Sequence, residues 1–159
     1  MMVERIYDID IDLLYEKGFR YILIDQDNTL ARWKFSEIDE KSLKWVNAAK
    51  ERGFTLCIIS NGIGDRIKKF SEMLGTYYIN KAKKPYAFGY QRCVELLKAE
   101  KSQIIAIGDQ IFTDVKGANK FGIPCILTEP IHKKEHVYTR LVRMFDRKKR
   151  NKLRKDINL

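Results

Sequence analysis

The sequence is poor in the residues that staple, kink or ligate. Of its 159 residues, three are cysteine, three proline and two histidine. Cys57, Cys93 and Cys125 are odd in number and widely spaced, and no CxxC pair exists, which disfavours a disulfide framework and a zinc site alike. Cys57 and Cys125 lie in apolar, strand-like runs and read as small core residues in a reducing compartment. His132 and His136 flank lysines, with no metal-ligand spacing, and read as exposed. No apolar run approaches the roughly 18 residues of a spanning helix, which excludes an integral membrane protein. Met1 to Asp12 is charged throughout and lacks the apolar stretch of a signal peptide. These absences place the expected protein in the cytoplasm. Gly62 and Gly64 are too few for a nucleotide-binding fingerprint, and there is no internal repeat or low-complexity linker.

What is abundant is positive charge. Lys and Arg total 31 against 21 Asp and Glu, a net of +10. Most of it lies at one end. Residues 132–159 carry 11 Lys/Arg and three acids, a net of +8, which leaves +2 for residues 1–131. A basic tail of this kind suits an anionic partner, and a bilayer or RNA would both serve. Val137, Leu141 and Phe145 recur at helical spacing, whereas seven of the nine residues from Arg147 to Lys155 are cationic with little apolar surface. With 45% hydrophobic and 33% charged residues, the chain is long enough for one domain, 1–159, with a real core.

Short apolar runs alternate with helix-like segments. Tyr21–Ile24, Thr55–Ile59, Tyr77–Ile79, Ile104–Ile107 and Cys125–Leu127 read as strands. Helices are expected from a Ser36 cap through Arg52, over Asp65–Leu74, from Pro85 to about Ala99, and over Asp114–Phe121. Continuous apolar strands between helices predict an α/β fold with a parallel sheet covered on both faces. Such sheets bind ligands at the carboxyl ends of their strands.

Those ends are polar. Asp25-Gln26-Asp27-Asn28-Thr29 follows the first run, Ser60-Asn61-Gly62 the second, and Gly108-Asp109 through Asp114 the fourth, with Lys83-Lys84-Pro85 ahead of a helix. The set suits phosphoryl transfer. A carboxylate such as Asp25 can attack phosphorus and is already ionised at neutral pH. Asp27, two residues on, can protonate the leaving oxygen and then deprotonate water. Hard oxygens from Asp25 and Asp109, with a backbone carbonyl, suit Mg²⁺. Ser60 and nearby N–H groups can hold phosphate oxygens, and Lys84 can neutralise them. Asn61 could contact phosphate or bend the strand end, whereas Thr29 and Thr113 read as braces of loop backbone. Four ionised Asp around one Lys would repel a phosphate dianion. Unit charges 4 Å apart interact by roughly 4 kcal/mol at an effective dielectric near 20, so a divalent cation is needed.

Asp25-x-Asp27-x-Thr29, strand-terminal Ser60, Lys84 before proline and Gly108-Asp109-x-x-x-x-Asp114 resemble, in order, the four motifs of haloacid dehalogenase-like (HAD) phosphatases. The resemblance spans about Tyr21 to Leu127. The wording of 25–30 and 108–119 is similar to the YqeG-type branch of subfamily IIIA, related to mitochondrial phosphatidylglycerophosphate phosphatase. It implies a Rossmann-like fold, an aspartyl-phosphate intermediate and Mg²⁺. By matching position, Asp25 is nucleophile and metal ligand, and Asp27 is acid/base and lends its carbonyl to the metal. Ser60 and Lys84 hold phosphate and Asp109 binds metal. Asp114 acts through water or orients Lys84.

HAD caps are inserted between the first and second motifs or between the second and third. The 32 residues from 28 to 59 and the 23 from 61 to 83 are too few for a cap domain. An open site is therefore expected, with Arg32, Trp33 and Lys34 where a small flap would hang. The expected substrate is a phosphomonoester, with phosphatidylglycerophosphate pointed to by the branch and sugar phosphates, nucleotides and phosphoproteins as rivals. A nucleic-acid or ribosome-associated binding protein on the same scaffold is the alternative of another class. The oligomeric state is not legible.

Overall fold

The computed structural model describes residues 1–32 and 37–132. Six strands form one all-parallel sheet: β1 (Met2–Val3), β2 (Tyr21–Ile24), β3 (Thr55–Ile59), β4 (Tyr77–Ile79), β5 (Ile104–Gly108) and β6 (Cys125–Thr128). Their order is β1-β6-β5-β2-β3-β4. The five expected strands are present, and the two-residue β1 is new. Its register, Met2 with Leu127 and Val3 with Thr128, extends the sheet past β6.

Alternation along the strands divides the core into two layers. Ile22, Ile24, Leu56 and Ile58 pack on one face against Trp45, Val46, Ala49, Ile67, Phe70 and Leu74. Leu23, Cys57, Ile59 and Ala106 pack on the other against Tyr90, Cys93, Ala118 and Phe121. The first face is covered by α1 (Ile11–Glu16), α2 (Glu40–Glu51) and α3 (Arg66–Leu74). The second is covered by α4 (Phe88–Leu97) and α5 (Lys116–Phe121). Cys57 and Cys93 are buried, Cys125 is half-buried, and all three are free thiols. His132, expected in solvent, is only partly exposed.

Three helix boundaries differ from expectation. The second helix starts at Glu40, because Asp39 caps it by accepting from the Ser42 N–H. Ser36 lies outside the described residues. Pro85 sits in a turn closed by Tyr86 N–H donating to the Lys83 carbonyl, and α4 begins only at Phe88. Asp114 lies in a widened turn over Ile111–Val115, and the regular helix follows from Lys116.

No inserted domain interrupts the described residues. Between β2 and β3 lie a loop and α2, and between β3 and β4 lies α3. Ala31 bridges Ile38 in antiparallel fashion, which brings the two ends of the expected flap together. Arg32 is exposed. Trp33 and Lys34, the basic tail from Lys133 onward and His136 lie outside the described residues. No helix among the described residues is long and apolar enough to cross a membrane.

Candidate active site

Four strand ends deliver the polar residues to one edge. Asp25 follows β2 and stays in register, its N–H donating to the Ile107 carbonyl of β5 at 2.9 Å. Asp25, two residues beyond Leu23, continues the strand face covered by α4 and α5. Asp109 follows β5 directly and is 1% exposed. Ser60 follows β3, is buried, and accepts from the Gly62 N–H at 3.0 Å.

Lys84 joins these parts. It arrives from the loop after β4 and is 6% exposed. Its Nζ donates to Asp25 Oδ1 at 2.5 Å, to Asp114 Oδ1 at 2.6 Å and to the Ile59 carbonyl at 3.0 Å. All three ammonium hydrogens are thereby used. Burial alone would pull the amine down, but Asp114 and Asp25 outweigh it and hold Lys84 well above its ordinary range, so it stays charged. Burial pushes the Asp25 carboxyl well up, helped by Asp114 and Asp109 and opposed by Lys84. A cation among the carboxylates would reverse that push.

Asp114 is held from three sides. Besides Lys84, its Oδ2 accepts from the Gln110 N–H at 3.0 Å, and its carbonyl accepts from the Tyr90 hydroxyl at 3.1 Å. Gly108 makes room for it. A Cβ there would lie 2.6 Å from the Asp114 Cβ and Oδ2, a distance real side chains do not adopt. With one oxygen on Lys84 and the other on a backbone N–H, Asp114 is placed to orient the lysine.

Asp25, Asp109 and Asp114 each offer a carboxylate oxygen within 4.8 Å of the others. Three hard oxygen donors at this spacing fit Mg²⁺ in ligand type. Because both Asp114 oxygens are engaged, Asp25 and Asp109 are the better direct ligands.

Two residues have partners that sequence reasoning did not supply. Asn61 donates through Nδ2 to the Lys84 carbonyl at 3.0 Å and accepts at Oδ1 from the Lys84 N–H at 2.7 Å. Its amide therefore clamps the backbone of Lys84 instead of lying open for phosphate. Asp27 accepts at both carboxylate oxygens from Arg66 Nη2, 2.6 Å each. Arg66, the first residue of α3, was missed. Its one signal was its place in the turn after the Ser60 motif, where a helix start points back at the strand ends. Tyr90 was missed as well, since nothing in its local sequence marks it as touching Asp114. Thr113 Oγ1 donates to Gln110 Oε1 at 3.4 Å, a side chain and not backbone. Thr29 Oγ1, expected to brace loop backbone, has no hydrogen-bond partner among the described residues.

A family model for haloacid dehalogenase-like hydrolases matches residues 2–122. The chain is 35% identical over 146 residues to YqeG of Bacillus subtilis (strain 168), itself named a probable phosphatase; the match covers 92% of this chain and 85% of that protein. It is 26% identical over 139 residues to phosphatidylglycerophosphate phosphatase 1, chloroplastic/mitochondrial, of Arabidopsis thaliana, covering 82% of this chain and 40% of that one. Among solved structures it resembles 3-deoxy-D-manno-octulosonate 8-phosphate phosphatase from Moraxella catarrhalis, in complex with magnesium, phosphate and the KDO molecule. The TM-score is 0.50 at 18% identity, covering 64% of this chain and 65% of that one. At that identity the likeness concerns the fold.

Proposed function

The chain belongs to the haloacid dehalogenase-like hydrolases and is a phosphatase, and on that premise we propose that it hydrolyses a phosphomonoester through a phosphorylated Asp25, with Mg²⁺. The observation that carries this reading is Lys84, buried and fully charged between Asp25 and Asp114 at the strand ends. It fixes one oxygen of Asp25 and leaves Oδ2 to act.

In the first step Asp25 Oδ2 attacks phosphorus and the bond from phosphorus to the ester oxygen breaks. Asp27, protonated from solvent as it lets go of Arg66, gives that proton to the departing oxygen. In the second step a water attacks the phosphorus of the acyl phosphate and loses its proton to Asp27. The bond from phosphorus to Asp25 breaks, inorganic phosphate leaves and both aspartates return to their starting state. Ser60 and nearby N–H groups hold the phosphate oxygens with Lys84. Asn61 and Asp114 position Lys84. Asp25, Asp109 and the Asp27 carbonyl would hold Mg²⁺, which supplies the charge that lets a phosphate dianion approach these carboxylates.

The whole chain, 1–159, is taken as one phosphatase domain, its basic tail being a contact for anionic bilayer or RNA. The proposed substrate class is a phosphomonoester on a lipid headgroup, phosphatidylglycerophosphate first, supported by the name of the Arabidopsis relative and by the absence of an inserted domain among the described residues. Phosphate release from p-nitrophenyl phosphate tests the chemistry. Turnover is expected to vanish with excess chelator, return with Mg²⁺, and be lost in Asp25→Asn. Full turnover in chelator, or equal rates in Asp25→Asn, would refute it. A release screen over lipid, sugar, nucleotide and peptide phosphates then ranks the substrates.

A further inference from the structure

Around the mouth of the site, apolar side chains stand in solvent. Ile63 is 81% exposed, Tyr86 68% and Phe88 51%. Ile63 sits on the loop leaving β3 and Tyr86 on the loop leaving β4, Phe88 opens α4 directly after that second loop, and the two loops form a single surface. Lys81 N–H donates to the Gly62 carbonyl at 3.2 Å, Asn61 is clamped to the Lys84 backbone, and Tyr86 N–H donates to the Lys83 carbonyl at 2.9 Å. Lys83 Nζ stands 5.4 Å from the centre of the Phe88 ring. The surface adjoins the reactive groups, because Lys84 lies within the second loop and reaches Asp25.

Its charge is cationic. Lys81 and Lys83 are both exposed, and Asp65 is the acid within these two stretches. Both lysines take left-handed backbone, with φ of 48° and 55°, where glycine or asparagine is the easier occupant. The turn thus presents two ammonium groups outward on either side of buried Ala82. A branched aliphatic, an aromatic, a tyrosine and two lysines on one face match the layers of a bilayer surface. Apolar groups enter the acyl boundary, tyrosine sits at headgroup level, and lysines reach anionic phosphates. RNA would use the lysines and the rings but has no place for Ile63.

We propose that this rim, Ile63, Tyr86 and Phe88 with Lys81 and Lys83, docks the protein on an anionic bilayer with the active site facing the headgroups. The docking stands on the surface itself, while the statement that the ester reached there is lipid-borne rests on the phosphatase reading above. The site then needs no inserted domain, because the bilayer is what closes over it.

The test uses the full chain with Ile63→Cys carrying the fluorophore NBD. Glu100→Cys, exposed just before β5 at the amino ends of the strands, is the control. The unsubstituted chain is the labelling blank. With vesicles of equimolar phosphatidylcholine and phosphatidylglycerol, emission at position 63 should rise several-fold and shift to the blue, and emission at position 100 should not. Phosphatidylcholine alone should give little response. Lys81→Glu combined with Lys83→Glu and Tyr86→Ser should weaken vesicle binding several-fold and leave p-nitrophenyl phosphate turnover unchanged. A flat signal at position 63 overturns the proposal, whether the chain stays in solution or sediments with vesicles through its tail. A signal evoked by single-stranded RNA and not by vesicles overturns it too. Absence of p-nitrophenyl phosphate turnover in the unsubstituted chain would overturn the phosphatase reading instead, and the fluorescence would still decide the docking.

Discussion

Arg66 Nη2 donates to both carboxylate oxygens of Asp27, 2.6 Å to each. The proposed acid/base is therefore held by a cation on the first turn of α3, with both side chains only partly buried. To give or take a proton, Asp27 must exchange one of these contacts for the ester oxygen or for water. Arg66 thus sets the direction from which Asp27 meets the leaving group.

Removal of that cation has a leaving-group signature. p-Nitrophenolate departs without a proton, whereas an alkoxide needs one. General acid–base catalysis contributes about 10²–10⁴-fold, and loss of positioning should forfeit part of it. Arg66→Ala is expected to lower kcat/KM for an alkyl phosphate about tenfold more than for p-nitrophenyl phosphate. Equal losses on both substrates, measured side by side, would remove Arg66 from the proton-transfer account.

Gly108 is the position where one added carbon should disturb the whole site. Its Cβ would meet Asp114, which holds Lys84, which holds Asp25. Overpacking of this kind costs about 1–3 kcal/mol. Gly108→Ala should lose that stability in urea unfolding and most of its p-nitrophenyl phosphate turnover. A variant with full activity would show that Asp114 does not position Lys84.

Asp39 tests the fold away from the chemistry. Partial burial pushes its carboxyl up, but hydrogen bonds from Ser42 and the Lys41 backbone outweigh this and hold it below its usual value. A depressed carboxyl stabilises the fold above its unfolded pKa, about 3.9, and loses that contribution as pH falls through its folded value. Asp39→Ala should cost about 1 kcal/mol at neutral pH. The gap between variant and parent should close in acid, below the folded value. A gap that stays constant with pH would mean the loss is not one of charge-assisted capping.

The parts of the fold that were legible are those with dense local signals. Tyr21–Ile24, Thr55–Ile59 and Tyr77–Ile79 are apolar runs bounded by polar turns, and their limits agree with the structure. β1 has two residues, too few for any periodicity, and exists because β6 offers it partners. The second helix begins at Glu40 because Asp39 is its cap. Pro85 could open a helix by local rules, but the Lys83 carbonyl closes a turn across it. In the site, residues carried by short motifs were visible, since Asp25, Asp27, Ser60, Lys84, Asp109 and Asp114 each follow a strand or precede a helix. Arg66 and Tyr90 were not, because their meaning lies in what the folded chain sets opposite them. Asn61 was visible, but its pairing with Lys84 depends on two loops meeting.

Phosphorylation of Asp25 is the step from which the rest of the chemistry follows. Asp27→Asn should slow the breakdown of that ester, because no base then activates water. Such a variant, mixed with Mg²⁺ and p-nitrophenyl phosphate, quenched in acid and reduced with borohydride, can be digested and read by mass spectrometry. Homoserine is expected in place of aspartate at position 25 and nowhere else, and is expected to be absent when substrate is omitted. Reduction at another aspartate, or none at Asp25 while the parent chain turns over normally, would contradict it.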